Sequence, residues 1–281
     1  MKSKKSPLKW AGSKYKLLSY ILPLIGTPKR YCEPFGGSLS VALNVDAQEY
    51  ILNDINEDLY SFYTNVNKSF FIEARDFFLS DNNSREKYNE IKTTFNNSTN
   101  SKERALLFLY LNKHCFNGLS RYNSKGEFNV PYGRESKNPM TGKIKILKSN
   151  FPSDEILNFI QFIENNNVTF YNTTFSDLSL YSTLEKNDVV YFDPPYVPID
   201  ETSNFTQYSK DDFNYEQHVE LVNLAKLLAS KGIKVIISNH DTPITQELYK
   251  EAQLSYLQVQ RNISANSSSR KKVGELLAIY Q

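Results

Sequence analysis

The sequence predicts an α/β fold, a mostly parallel sheet with an inserted, mostly helical segment that carries a β-hairpin. Three observations lead there. Short apolar, β-branched or aromatic runs recur at Tyr31-Cys32, Tyr50-Ile51-Leu52, Val168–Tyr171, Val189–Phe192 and Lys234–Ser238, as in strands buried on both faces. Between residues 56 and 165 the pattern turns helical, and strands then resume. Several runs end at a carboxylate, at Gly or at Pro, where an open α/β sheet delivers its chain to a ligand.

At 281 residues the chain can build one α/β domain with an insertion, or two domains. The division read from the pattern is 1–55 with 166–281, and 56–165. Lys and Arg number 33 against 31 Asp and Glu, a net charge of +2, so the placement of charge says more about partners than its sum. Cys32 and Cys115 lie far apart in apolar or aromatic settings, which argues against a disulfide scaffold and fits a reducing compartment. His114, His218 and His240 have no metal-ligand spacing, and no metal is expected. The lysine-rich start is followed by no apolar run, so it does not read as a signal peptide. No stretch is long and apolar enough to span a membrane. A soluble, cytoplasmic protein is expected.

In chain order, Pro7-Leu8-Lys9-Trp10-Ala11-Gly12-Ser13-Lys14 is either a solvated basic arm or a compact loop that can hold a flat or anionic group. A helix follows over Leu17–Leu24. Tyr31 to Ser38 reads as a short strand, an acid and the pair Gly36-Gly37, leading into a helix over Leu39–Leu43. Such glycines let backbone approach a cofactor closely. Tyr50 to Asn56 is a strand ending at Asp54, about 20 residues past the glycines, where a Rossmann-like fold grips ribose hydroxyls. Glu57–Asn67 and Phe70–Leu79 are amphipathic helices, Asp81-Asn82-Asn83-Ser84 breaks the run, and Ala105–Cys115 is a buried helix. Ser124-Lys125-Gly126 reads as a hairpin tip with arms 120–123 and 127–130, interleaving basic, amide and aromatic side chains. Lys137, Lys143, Lys145 and Lys148 follow, and the whole is either a solvated basic hairpin or a surface for phosphates and base edges. Ser153 caps a helix over Asp154–Glu164. Phe175–Leu178 is a loop, and Asn204–Ser209 is a second loop long enough to fold over a ligand. A helix runs from Asp212 to Ser230, His240 reads as structural, and Val259–Ser264 pairs with Glu275–Tyr280 around a polar, basic loop at 265–272.

The most informative stretch is Asp193-Pro194-Pro195-Tyr196. No strand continues through Pro-Pro, so Asp193 stands where a strand gives way to a rigid loop. An exocyclic amine on a nucleobase is a poor nucleophile, because its lone pair is delocalised into the ring. Attack leaves its hydrogens partly positive. The Asp193 carboxylate and the Pro194 carbonyl can accept both hydrogens, and Tyr196 can stack on a base that has left its helix.

These blocks, with Phe128–Arg134, Ser238-Asn239-His240-Asp241 and Arg270-Lys271-Lys272-Val273, resemble in order the Dam family of DNA adenine-N6 methyltransferases, from Lys9 to the C-terminus. The resemblance implies a Rossmann-like methyltransferase sheet, S-adenosylmethionine as methyl donor and double-stranded DNA as partner. Residues 1–55 and 166–281 would form the catalytic domain and 56–165 the DNA-recognition domain, acting as a monomer. It assigns catalysis to Asp193, Pro194 and Tyr196. Cofactor binding falls to Trp10, Lys14, Phe35, Gly36, Gly37, Asp54, Ile55 and Asp193, and DNA binding to Lys9, Asn117, Leu119, Arg121, Asn123, Pro131 and Arg134. The expected target is the adenine of GATC. Two positions depart from the family's pattern: Leu39 stands where members often have glycine, and Glu135 where some have an aromatic that helps read DNA. Competing readings are a methylase of RNA or protein glutamine, and a DNA-binding regulator on a disabled methylase fold. A bacterial or phage origin stays open.

Overall fold

Cys32, Leu52, Val190 to Phe192 and Val235 to Ile237 are all buried, and unbroken burial of this kind holds a strand in the middle of a covered sheet. A computed structural model describes residues 3–79, 83–137, 144–146, 151–197, 213–259 and 273–281. The strands are β1 (Arg30–Glu33), β2 (Glu49–Asn53), β3 (Glu135–Lys137), β4 (Ile144–Ile146), β5 (Asn167–Tyr171), β6 (Val189–Phe192), β7 (Lys234–His240), β8 (Gln253–Val259) and β9 (Val273–Tyr280). The main sheet has the order β5-β2-β1-β6-β7-β9-β8, and β3 and β4 form a separate antiparallel pair. β1 runs parallel to β2 and β6, and β6 to β7, with Val190 opposite Val235. β9 is antiparallel to both β7 and β8. Strand order reverses beside β1, and open α/β sheets bind ligands beyond the carboxyl ends of the strands at such a reversal. Asp54 follows β2 and Asp193 follows β6, each directly past its strand.

The helices are α1 (Leu18–Ile25), α2 (Glu57–Asn65), α3 (Lys68–Leu79), α4 (Arg85–Asn97), α5 (Ser101–His114), α6 (Ser153–Asn165), α7 (Tyr215–Ser230) and α8 (Pro243–Leu248). By Cα packing the chain divides into two compact units, 1–22 with 37–44 and 54–172, and 23–36 with 45–53 and 173–281. In the first, every residue of α5 from Ala105 to His114 is buried, and α2 and α4 pack on it. Asn56 starts α2 by accepting from Asp58 N and Leu59 N at 2.9 and 3.2 Å. In the second, Arg30 ties the starts of three strands, reaching Glu49 Oε2 at 3.1 Å and Asp188 Oδ2 at 3.2 Å. Among the described residues no helix is long and apolar enough to cross a membrane.

Several local expectations are corrected. Leu39–Leu43 is not a helix: Leu39 takes a φ of 55°, which breaks a right-handed helix, and only a 3₁₀ turn at Ala42–Asn44 follows. A helix absent from the sequence reading, α4, starts at Ser84, whose hydroxyl accepts from Lys87 N, and buries Tyr88, Ile91 and Phe95. Ser153 lies inside α6 rather than capping it, and Asn214 caps α7, its Oδ1 accepting from Gln217 N while its own N donates to Gln217 Oε1. Besides β7, β9 pairs with β8, which ends at Val259; the rest of the expected partner, 260–264, lies outside the described residues. The expected loops at 204–209 and 265–272, with Lys143, Lys148, Arg270, Lys271 and Lys272, lie outside the described residues.

Candidate functional site

In the first unit the glycine of the pair at 37 has a φ of +48°, and a Cβ there would stand 2.9 Å from Trp10 Nε1. Only glycine lets the indole lie on this turn. Asp54 Oδ2 accepts from Gly37 N at 2.7 Å, while Oδ1 accepts from Asn56 N at 2.9 Å. The Tyr63 hydroxyl donates to Gly37 O. Burial pushes the Asp54 carboxyl above the usual range, and the two backbone N–H donors work against that shift. Ile55, beside it, is 75% exposed and leaves apolar surface open. Lys14 is buried, its Nζ donating to Gly12 O at 2.8 Å. A tight glycine turn, an indole, a carboxylate and an open aliphatic surface together make a cradle with a flat apolar side and an acceptor for hydroxyl groups.

In the second unit the Pro34–Gly36 turn is fixed by Asn53, whose Nδ2 donates to Pro34 O at 2.8 Å and whose carbonyl accepts from Gly36 N at 2.7 Å. Phe35 stacks on Phe175 at 5.3 Å between centroids and meets Phe213 edge-on at 5.6 Å, an apolar wall. Asp193 is half-buried and Pro194 buried. Tyr196 is braced from behind: its hydroxyl donates to Glu275 Oε2 at 2.6 Å, and its ring meets the edge of His240 at 4.5 Å. His240 is buried, with Nδ1 3.2 Å from Val197 O, and Asn239 Oδ1 accepts from Val197 N.

The hairpin, also in the first unit, is held by single bridges rather than a regular ladder. Tyr122 pairs with Phe128 and Cys115 with Tyr132. Strand alternation sorts its side chains. Phe128, Val130 and Tyr132 are buried, whereas Arg121 and Pro131 face outward and Leu119 is 37% exposed. Asn96 clamps both backbone groups of Phe128, and the Tyr88 hydroxyl donates to Val130 O. Arg121 Nε donates to Asn129 Oδ1 at 2.8 Å, so the guanidinium is aimed from across the hairpin. Asn117 is exposed with a φ of 55°. Asn123 is used in the tip, accepting from Lys125 N and Glu127 N and donating to Glu127 Oε2. Lys9 packs against Gly118, where a Cβ would meet its own Cβ at 2.5 Å, and its backbone is held at both ends by Asn112.

Relatives share this sequence across its length. The chain is 43% identical to the DNA adenine methylase of Salmonella typhi, an alignment covering 100% of this chain and 97% of the relative. It is 42% identical to the DNA adenine methylase of Escherichia coli strain K12, with the same coverage. The METTL16 MTase domain superimposes with a TM-score of 0.36 at 9% identity over 95% of this chain and 80% of that one. The family of D12 class N6 adenine-specific DNA methyltransferases matches residues 10–263. The chain belongs to that family.

Three cations, Lys9, Arg134 and the buried Lys113, stand close together in the first unit. Arg134 donates to Lys113 O through Nε at 2.8 Å and again through Nη2. Burial, and then the Lys9 charge, pull Lys113 down to about 8, with Glu155 opposing. Burial, followed by the Arg134 charge, also lowers Lys9. A negative charge placed beside them would offset the mutual repulsion of the cations, though not the cost of burial. Glu135, at the position where some members carry an aromatic, is paired with Arg85. The sequence reading passed over Asn129, Asp58, Glu275 and Phe116, which is 51% exposed beside the hairpin. Only Asn129 left a trace, since alternation places it on the face of Arg121; the others depend on contacts between distant segments.

Proposed function

We propose that the enzyme transfers a methyl group from S-adenosylmethionine to N6 of adenine in duplex DNA, within GATC, on an adenine flipped out of the helix. The observation that carries this is the placement of Asp54 and Asp193 directly past parallel strands β2 and β6, with the glycine turn and the D-P-P-Y loop intact. When bound, S-adenosylmethionine supplies an electrophilic methyl group. Asp54 holds its ribose hydroxyls, Trp10, Lys14, Gly36, Gly37 and Ile55 form the cradle, and Phe35 lines the pocket. Asp193 and the Pro194 carbonyl accept the two hydrogens of the amine and stabilise their growing charge in attack. Tyr196 stacks on the base. Residues 56–165 recognise DNA, and 1–55 with 166–281 carry out transfer by a monomer.

For the target, Arg121 donates twice to guanine O6 and N7, Leu119 and Pro131 give apolar surface to a thymine methyl, and Lys9 reaches the outer guanine. Asn117 either supports the hairpin or fills the gap left by the adenine. Asn123 and Arg134 complete the DNA-binding set. With Glu135 paired to Arg85, the outer base pair has the least support, and tolerance is expected there. The test is labelled-methyl incorporation into duplexes carrying GATC and each single-base change of it. A rate on GATC at least tenfold above changes at the guanine read by Arg121 supports the reading, on the order of what a bidentate contact provides. Equal rates on all duplexes defeat the target assignment, and labelling of RNA or protein instead defeats the substrate assignment.

A further inference from the structure

Arg121 does not hold its own position. The next residue, Tyr122, turns inward, and its hydroxyl donates to Asp58 Oδ2 at 2.5 Å. Asp58 Oδ1 accepts from Arg104 twice, from Nε at 3.0 Å and Nη2 at 2.6 Å. The Asp58 side chain is only 4% exposed. Arg104 also donates through Nη1 to Phe95 O and Ser98 O, both at 3.0 Å, and its guanidinium lies 4.3 Å from the centre of the Phe95 ring. One buried ionic group therefore ties the first turn of α2, the end of α4, α5 and the hairpin.

Buried ion pairs are a poor source of stability, since apolar side chains of similar volume often do as well or better. What they offer is fixed geometry, because a buried carboxylate with three donors tolerates little displacement of any of them. Tyr122 lies one rigid peptide from Arg121, and Arg121 O in turn accepts from Asn129 N at 3.1 Å. The position of the Tyr122 hydroxyl thus sets the pitch of the backbone from which Arg121 reaches outward.

We propose that Asp58 and Tyr122 are positioning residues for sequence discrimination, holding the hairpin at the angle that Arg121 needs to read its base. This rests on the hairpin being the reader, as set out above. The test measures kcat/KM of the full-length enzyme with labelled S-adenosylmethionine on a GATC duplex and on duplexes changed at each guanine. Tyr122→Phe removes one hydroxyl and keeps the ring that meets Phe128 edge-on at 5.9 Å. Its expected effect is a narrowing of discrimination at one guanine on the order of tenfold, part of what a bidentate arginine contact supplies. The narrowing arises because the rate on GATC falls while the rate on the altered duplex does not. In an Arg121→Ala background the same substitution should change the ratio no further, as two residues acting through one contact do not add. Arg104→Lys, which keeps the charge and loses the planar fork, should narrow the ratio in the same direction. A purely structural role would lower rates on all duplexes in proportion. An unchanged ratio in Tyr122→Phe that melts cooperatively therefore overturns the proposal, while Arg121→Ala still loses discrimination. If Arg121→Ala itself keeps full discrimination, the hairpin reading fails first and the proposal falls with it.

Discussion

Asp54→Asn separates charge from shape in the cradle. In the native protein the two carboxylate oxygens each accept a backbone N–H, from Gly37 at 2.7 Å and Asn56 at 2.9 Å. An asparagine has one accepting and one donating end, so in either orientation an NH₂ group faces a backbone N–H. At least one charge-assisted bond is lost, worth about 1.5–3 kcal/mol. The ribose hydroxyls would meet a neutral group as well. If the loss falls on the bound state, the Kd for S-adenosylmethionine rises about ten- to a hundredfold, as each ~1.4 kcal/mol is tenfold. Titration calorimetry near pH 8 measures this, with melting of the cofactor-free protein as control. Because burial raises the Asp54 pKa, affinity should also begin to fall on acidification at a higher pH than for an exposed aspartate. Native affinity in folded Asp54→Asn and Asp54→Ala proteins would refute the reasoning.

The sheet was legible because each of its inner strands is a run of residues that must be buried whatever surrounds them. Val189 to Phe192 is a strand in the sequence reading and in the structure, and its four residues are all buried. The Pro-Pro that ends the strand fixes the loop by covalent geometry, so its place needed no knowledge of distant neighbours. Leu39 was misread for the opposite reason. Its apolar neighbours suggest a helix, but the turn that brings Gly37 against Trp10 demands left-handed backbone two residues later. The structure accepts roughly 1–2 kcal/mol of strain there in a leucine that is almost wholly buried. α4 was missed because its polar face outweighs the three residues it buries, Tyr88, Ile91 and Phe95. The supports behind the site were invisible for a further reason. Asp58 and Tyr122 lie 64 residues apart, and Tyr196 and Glu275 lie 79 apart, so nothing local announces either pair.

Three other outcomes are expected. Asp193→Ala should lose on the order of a hundredfold or more in single-turnover rate while still binding duplex DNA, and a near-native rate would exclude the proposed stabilisation of the amine. His218 is buried with neither ring nitrogen hydrogen-bonded among the described residues, and burial lowers it to about 4, so stability is full above about pH 6.5 and is lost as pH falls toward 4. At pH 5 that loss is on the order of 2 kcal/mol, and urea unfolding of His218→Phe at pH 5 and 8 should show a smaller pH effect than the native protein, with His114, also lowered to about 4, contributing to what remains. The last concerns Tyr196→Phe, which keeps the ring that stacks on a flipped base but takes from buried Glu275 the hydroxyl that donates at 2.6 Å. Depriving a buried carboxylate of a donor costs about 1–3 kcal/mol, so the melting temperature should drop measurably while single-turnover methylation, measured well below it, stays closer to native than in Tyr196→Ala. The opposite order, a native melting temperature with a rate as low as that of Tyr196→Ala, would mean that the hydroxyl acts on the reacting base itself and that stacking is not the whole of the tyrosine's role.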